Sequence, residues 1–325
     1  MAIPRTRMHG LVGLIRAVIV LFGSVAVAAT IAGFFGSTWW IFDLAADYRF
    51  PLMVTLVLVA IAYGLGYGRA AAVIFLIAAV VNAVLIVPLW ISQQPKARTE
   101  DNLRVVTFDV EGHAENRDEI LSWLGSVGAR IVFLQGTDAG WSADISAAGL
   151  PYRTLAVPAP SGTTVLARSD VDATLAPNDD GSPYVEIVTT LGGATLTLIG
   201  VDTEIPRSSE EAETRLALFA TVADRVAAVE TRVAVVGNLS TTRWSHAFRV
   251  LASDPPLRAS EDGSGYWATW NAFPSFNIPA VQRIFGLPLD HVLLSEDLTT
   301  TARLVGPDLG PNHRGVVVDI ARAGT

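Results

Sequence analysis

The sequence predicts an α/β protein in which N-terminal transmembrane helices are followed by a two-sheet α/β sandwich. Two observations carry this. Three apolar runs fill the first hundred residues. Beyond them, short β-rich segments alternate with helical patterns; strands outnumber helices and several come consecutively, which favours two packed sheets over one doubly wound sheet.

The apolar runs come first. The 325-residue chain is 51% hydrophobic and 17% charged, with mean hydropathy +0.42, too apolar for an ordinary soluble protein. The excess lies in segments at about 11–36, 50–68 and 70–91. Each reaches the roughly 20 residues a bilayer-spanning helix needs. Arg16 sits near the start of the first run, where it can snorkel to the interface. Trp39, Trp40, Tyr48 and Trp90 lie at segment ends, where an aromatic belt belongs.

Basic residues set the expected topology. Arg5 and Arg7 precede the first span and Arg69 lies between the second and third, so positive-inside places these in the cytoplasm. Three crossings then put everything after Ile91 outside, although Lys96 and Arg98 just beyond the third span pull mildly the other way. Ala26-Val27-Ala28 also offers a signal-peptide cleavage site, but the apolar run continues past it. With cleavage, the second and third spans still anchor the chain. The expected location is the plasma membrane, multi-pass, with an extracytoplasmic C-terminal domain. The Ala/Val/Arg-rich, Lys-poor usage is that of a GC-rich bacterium.

The outer part holds 29 acidic against 16 basic residues from residue 100 onward, a balance of −13. That charge repels phosphate backbones, so nucleic acid is not an expected partner. The chain has no cysteine, hence no disulfide, thiolate metal site or thiol nucleophile.

Residues 92–102 are polar and contain Pro95, which reads as a linker between residues 1–91 and a domain at 103–325. "LRVVTFDV", "RIVFLQ", "YRTLAV", "GTTVLARS", "YVEIVTTL" and "ATLTLIGVDT" read as strands broken by Gly, Pro and Asp turns. Asn116 opens a helix over Arg117–Val127 with Ile120, Leu121 and Leu124 on one face. Ser208 and Glu211 form a capping box before a second helix, whose apolar stripe includes Leu216, Phe219, Ala223 and Val226. "TRVAVVG", "LDHVLLS", "TTTARLV" and "RGVVVDI" complete the strands.

Polar residues recur at strand ends: Asp109, Asp202, Asn238 with Ser240, Asp290-His291, and Asn312-His313. Polar groups converging from strand ends are a common way to build a site. The segments "LRVVTFDV", "IVFLQGTDAGW", "VVGNLSTTRWS", "LDHVLLS" and "NHRGVVVDI" resemble, in order and spacing, the signatures of the endonuclease/exonuclease/phosphatase superfamily, over about residues 103–320. The resemblance implies the deoxyribonuclease-like fold and hydrolysis of phosphate esters with a divalent metal, usually magnesium.

It also implies where the machinery should be, and the residues there differ. The family's metal-binding Glu corresponds to Gly136, the loop Asp to Asn238, the loop Asn to Ser240, and the Asp of the terminal segment to Asn312. A first-strand Asn is Asp109 and a middle-strand His is Asp202. Asp290 and His313 match outright, as a carboxylate–imidazole pair. A neutral amide is a weaker magnesium ligand than a carboxylate and cannot take a proton from water as one does.

Two readings of the domain stand. One is a pseudoenzyme that binds or scaffolds in the cell envelope beside a protein partner, with no cofactor. The other is an active phosphodiesterase or phosphatase, using Mg²⁺ and a relocated acid set of Asp109, Asp202 and Asp290, with Asp138 as a candidate helper, on lipid-linked or envelope phosphates. A third makes the spans the docking element. His291 is expected to pack or face solvent, and His113 and His246 to lie on the surface. Trp244, Trp267, Trp270, Phe273 and Phe276 around a Gly/Pro-rich stretch form either an aromatic groove or a self-packed loop.

Overall fold

The computed structural model describes residues 5–66, 68–112, 114–157, 162–176, 182–273, 278–310 and 312–324. The chain divides into two compact units: a helical unit up to Pro88 that also includes Trp244–His246, and a sheet unit of Leu89–Arg243 and Ala247–Thr325.

The helical unit contains α1 (Arg5–Ala32), α2 (Trp40–Asp47), α3 (Arg49–Gly66) and α4 (Arg69–Ile86). Three segments are long and apolar enough to cross a membrane: Gly13–Ala32, Arg49–Gly66 and Arg69–Ile91. The first ends earlier than residue 36, and the short α2 follows. Ala26, Leu56, Tyr63, Phe75 and Ala79 pack the interior, while Leu21, Phe22, Leu58, Ile77 and Val84 point outward. One polar knot lies among the helices. Asn82 Nδ2 donates to Thr30 Oγ1 at 2.8 Å, and Arg49 Nη1 donates to the Thr30 carbonyl at 2.8 Å. All three residues are buried, and these bonds satisfy polar groups that lipid could not.

The sheet unit begins with the short helix α5 (Pro88–Ile91), which straddles the boundary. Its strands are β1 (Ala97–Asp109), β2 (Ile131–Gln135), β3 (Tyr152–Ala156), β4 (Thr163–Arg168), β5 (Ala173–Leu175), β6 (Val185–Leu191), β7 (Ala194–Asp202), β8 (Arg232–Asn238), β9 (Arg258–Ala259), β10 (Asp290–Leu294), β11 (Leu298–Val305) and β12 (Val316–Ala323). They form two six-stranded sheets, ordered β11-β12-β1-β2-β4-β3 and β5-β6-β7-β8-β10-β9. Val105, Phe133, Val165 and Val318 of the first meet Ile187, Leu198, Val236 and Val292 of the second.

The outer faces carry α6 (Arg117–Val127) and α7 (Ala139–Ala147) on one sheet, and α8 (Ser209–Ala228) and α9 (His246–Ala252) near the other. A last short helix, α10, spans Pro279–Phe285. Ser208 caps α8 as its spacing predicts, accepting from the Glu211 amide. The expected linker is extended in its second half: Ala97 pairs with Ala323 of β12. Backbone hydrogen bonds to a distant strand create that structure, so the polar local sequence gave no sign of it.

Both sheets centre on a parallel pair, β1 with β2 and β7 with β8. Parallel neighbours end at the same edge, so their C-terminal residues gather there. At that edge Gly237 has φ +152°, and a Cβ added to it would lie 1.8 Å from the Val201 carbonyl oxygen. No residue with a side chain fits.

Candidate functional site

The register places the polar strand ends side by side. Asn238 of β8 pairs with Asp202 of β7 on one side and with Asp290 of β10 on the other. Asp109 ends β1 in the other sheet, opposite Gln135. Asp109, Asp202 and Asn238 form the floor of a cavity of about 740 Å³, within the range of small-molecule sites.

Asp109 is 5% exposed and engaged at both oxygens. Asn238 Nδ2 donates to its Oδ2 at 2.7 Å, and the Glu111 amide donates to its Oδ1 at 2.9 Å. Asn238 Oδ1 in turn accepts from the Ser240 amide at 2.8 Å and lies 3.2 Å from Ser240 Oγ. Ser240 Oγ also lies 2.7 Å from the Thr203 carbonyl oxygen. Ser240 takes a left-handed conformation, φ +47°. Buried Arg215 of α8 holds its carbonyl at 2.8 Å.

His313 stands beside this network. Its Nδ1 donates to Asp290 Oδ2 at 2.9 Å, and its Nε2 lies 3.8 Å from Asp109 Oδ2. Burial alone would lower its pKa; Asp290, by charge and hydrogen bond, and then Asp109 and Asp202 raise it to about 9. Thr269 Oγ1 braces the strand start by accepting from the Leu289 and Asp290 amides at 3.0 and 3.1 Å. The Asp202 carboxyl lines the cavity. Burial, then the charges of Asp109, Asp290 and Glu111, push it up to about 8 against the opposing effect of His313. Both shifts favour the protonated form of the group concerned.

At the places where the resemblance implies ligands of a divalent cation, the side chains differ. Gly136, at the place of the metal Glu, has φ +65°. A Cβ there would meet Glu111 Cβ at 2.7 Å and the Glu111 amide nitrogen at 2.9 Å. Both Asp109 oxygens and Asn238 Oδ1 each accept a hydrogen bond within the chain. Among the described residues no group of three or more His, Cys, Asp or Glu side chains is arranged to hold a metal ion.

The other predicted residues fall as follows. Asn312 lines the cavity and accepts from the Asn271 amide through its carbonyl at 2.7 Å. Asp138 stands apart from the floor, capping α7 through the Trp141 amide and pairing with Arg117 at 2.9 Å. His291 is buried, edge-on to Phe248, with Nε2 2.9 Å from the Thr241 carbonyl oxygen; burial holds its pKa below the usual range. His246 is half-buried at the start of α9. His113 and Phe276 lie outside the described residues.

Among the cavity residues that sequence reasoning missed are Glu111, Glu204, Arg207 and Asn271. Glu111 and Glu204 each stand two positions beyond a strand-terminal Asp, a shared spacing that could have drawn attention to both. With them the lining has four carboxyl groups, Asp109, Glu111, Asp202 and Glu204, against Arg207 and His313.

A model of the family described as "Endonuclease/Exonuclease/phosphatase family" matches residues 106–318. No curated protein matches the chain. Among solved structures, truncated Caenorhabditis elegans TDP2 is 16% identical with TM-score 0.52, covering 68% of this chain and 97% of its own. An endonuclease/exonuclease/phosphatase from Bacteroides vulgatus is 14% identical with TM-score 0.52, covering 68% and 99%. The human Nocturnin catalytic domain with bound sulfate is 14% identical with TM-score 0.50, covering 73% and 98%. At these identities the likeness is one of fold.

Proposed function

Because the chain belongs to the endonuclease/exonuclease/phosphatase family, we propose that its sheet unit is a catalytically degenerate member that binds a ligand in its cleft, serves a partner protein in the cell envelope, and is anchored by the apolar helices. One observation carries this reading. Where the resemblance implies an acid at 238, the chain has an amide, and that amide donates to the cavity carboxylate of Asp109, whose other oxygen accepts from the Glu111 amide. Hydrolysis of a phosphate ester needs an activated water and a group that neutralises the charge growing on the phosphoryl oxygens. Asn238 is a neutral amide that donates to Asp109 and accepts from the Ser240 amide, and it cannot take a proton from water as a carboxylate does. The cationic His313 is already balanced by Asp290.

What remains is a shaped, polar cavity on a rigid double sheet. Such a cavity binds and orients without turning over. Its acidic lining and the −13 balance of the chain from residue 100 onward disfavour a polyanionic partner.

The test is turnover. Purified full-length protein in detergent or lipid discs, given phosphodiester and phosphomonoester substrates with Mg²⁺ or Mn²⁺, is expected to match a His313→Ala control. Metal-dependent hydrolysis that disappears in His313→Ala would overturn the reading.

One observation favours the alternative, an active hydrolase with a rearranged acid set. The Asp202 carboxyl, raised to about 8 beside His313, titrates where a general acid or base works best. On that reading Asp202→Asn abolishes turnover and the substrates are lipid-linked or envelope phosphates.

A further inference from the structure

The stretch between β9 and β10 differs from the rest of the sheet unit in charge and in surface. Residues 263–289 hold no acidic side chain and a single basic one, Arg283. From residue 100 onward, where the balance is −13, this is the longest run without an acid. It also presents large apolar side chains to solvent: Trp267 is 47% exposed, Phe273 44% and Ile278 49%. Short α10 gathers them. Ile278 is its N-cap residue, the Arg283 guanidinium lies 5.0 Å from the Trp267 ring centroid, and Phe273 meets Phe285 edge-on with centroids 5.9 Å apart. Trp267 Nε1 donates to the Ser264 carbonyl at 2.8 Å. Its polar group is satisfied within the chain, and the ring is what it offers outward.

The start of this stretch is fixed to one place on the chain. Leu89–Ile91 end the third apolar segment and belong to the sheet unit. The Gly265 amide donates to the Leu89 carbonyl at 2.8 Å. A Cβ added to Gly265 would stand 2.9 Å from Trp90 Nε1, so the backbone passes directly against that indole. Gln94 Nε2 donates to the Ala259 and Asp262 carbonyls at 3.0 and 3.2 Å. Trp90 and Ile91 are themselves exposed. The exposed aromatic stretch is therefore tied to the residues at which a membrane-spanning helix would leave the bilayer.

We propose that Trp267, Phe273 and Ile278 form a peripheral contact with the bilayer surface, reaching the boundary of headgroups and acyl chains at the level set by Trp90. It rests on the reading of the apolar helices as the membrane anchor. An apolar patch on a soluble face marks an interaction surface, and Trp favours the interface, where its ring is apolar and its surroundings are wet. Anionic headgroups repel an acidic surface; this stretch carries no negative charge. Its attachment to Leu89 and Trp90 selects lipid as the occupant. Trp270 and Asn271 of the same stretch line the cleft, so the lipid-facing surface continues into the cleft wall.

Depth-dependent quenching on the full chain tests this. The chain has no cysteine, so each single-cysteine variant carries one environment-sensitive fluorophore. The variants are placed in lipid discs doped with lipid spin-labelled near the headgroup end of its acyl chain. Probes at Phe273→Cys and Ile278→Cys are expected to be quenched about twofold or more beyond a probe at Leu175→Cys. Leu175 is 47% exposed, but it lies on β5, at the opposite edge of the sheet from β9. In a Trp267→Ser background both signals are expected to fall. A probe at Val84→Cys, exposed on α4, reports the anchor through lipid labelled deep in its chain. Quenching at 84, with none above the Leu175 level at 273 and 278, would overturn the surface contact and leave the anchor standing. Absence of quenching at every position would remove the anchor and the contact with it. Probes at 273 and 278 that shift to the blue with rising protein concentration, without quenching by spin-labelled lipid, would overturn the contact in favour of a second copy on this face.

Discussion

Asn238 Nδ2 donates to Asp109 Oδ2 across 2.7 Å, and with that bond the end of β8 in one sheet is tied to the end of β1 in the other. Where the resemblance would place an acid at 238, the chain has an amide, and the amide's donor is what holds a carboxylate 129 positions away in sequence. The loop opening with Asn238 is thus a structural clasp between the sheets as well as the lip of the cavity.

Asn238→Asp should reverse the sign of that clasp. Two carboxylates would face each other where a hydrogen bond stood. A loss of about 1–3 kcal/mol is expected at pH 7 from denaturant unfolding. The loss should shrink on lowering the pH, as one acid takes a proton. Restoration of full stability by Mg²⁺ at neutral pH would show that the substitution alone re-creates a cation site.

Gly136→Glu is expected to fail as a repair. The backbone there is left-handed, and the first carbon of any side chain meets Glu111. A cost of about 2–4 kcal/mol follows from the conformational and steric terms together. Thermal unfolding of Gly136→Ala and Gly136→Glu should show most of the loss already in the alanine variant.

Stability should fall as pH rises. Asp202 goes from an ordinary 3.8 to about 8 on folding, and His313 from 6.5 to about 9. Between each pair of values the native chain holds a proton that the unfolded chain has released, so raising the pH favours unfolding. The Asp202 contribution is complete below pH 4 and is lost as pH rises through about 8. The His313 contribution is complete below pH 6.5 and is lost as pH rises through about 9. Denaturant midpoints measured from pH 5 to 9 check this; Asp202→Asn and His313→Ala should each flatten the slope.

In the helical unit, Asn82→Leu should weaken association of the helices by about 1 kcal/mol, since it removes the donor to Thr30 and the acceptor near Arg49. Unfolding in mixed detergent micelles reads this out. Val84→Leu, on an outward-facing position, should leave it unchanged.

The expected topology can be read with single cysteines, because the chain has none of its own. A membrane-impermeant maleimide applied to intact cells should label Ser169→Cys and not Ala70→Cys. The reverse pattern would place the sheet unit in the cytoplasm.

Much of the fold was legible because its strands are dense in Val, Ile and Leu and end at Gly, Asp or Asn. The α6 range, Arg117–Val127, was read directly from Ile120, Leu121 and Leu124 on one face. Short α7, α9 and α10 carry too few turns for a periodicity to emerge. The strand-end residues Asp109, Asp202 and Asn238 were legible as a set because parallel strands terminate together, and His313 because it stands just ahead of β12, which runs antiparallel to β1. Their pairings were not: which donor meets Asp109 depends on how the two sheets face each other, and that is a property of the whole core. Glu111 and Glu204 were hidden because turn residues beyond a strand follow no period.

Gly237 and Gly136 leave the two altered positions with unequal futures. Gly237 confines the main chain before the loop to one path, whatever stands after it, so a change at 238 alters chemistry without redirecting the chain. At 136 the hand of the backbone itself, and the space beside it, have turned away from any side chain. Under the proposed reading, an acid at 238 leaves the main chain as it stands, whereas an acid at 136 would first require rebuilding the turn that carries Glu111.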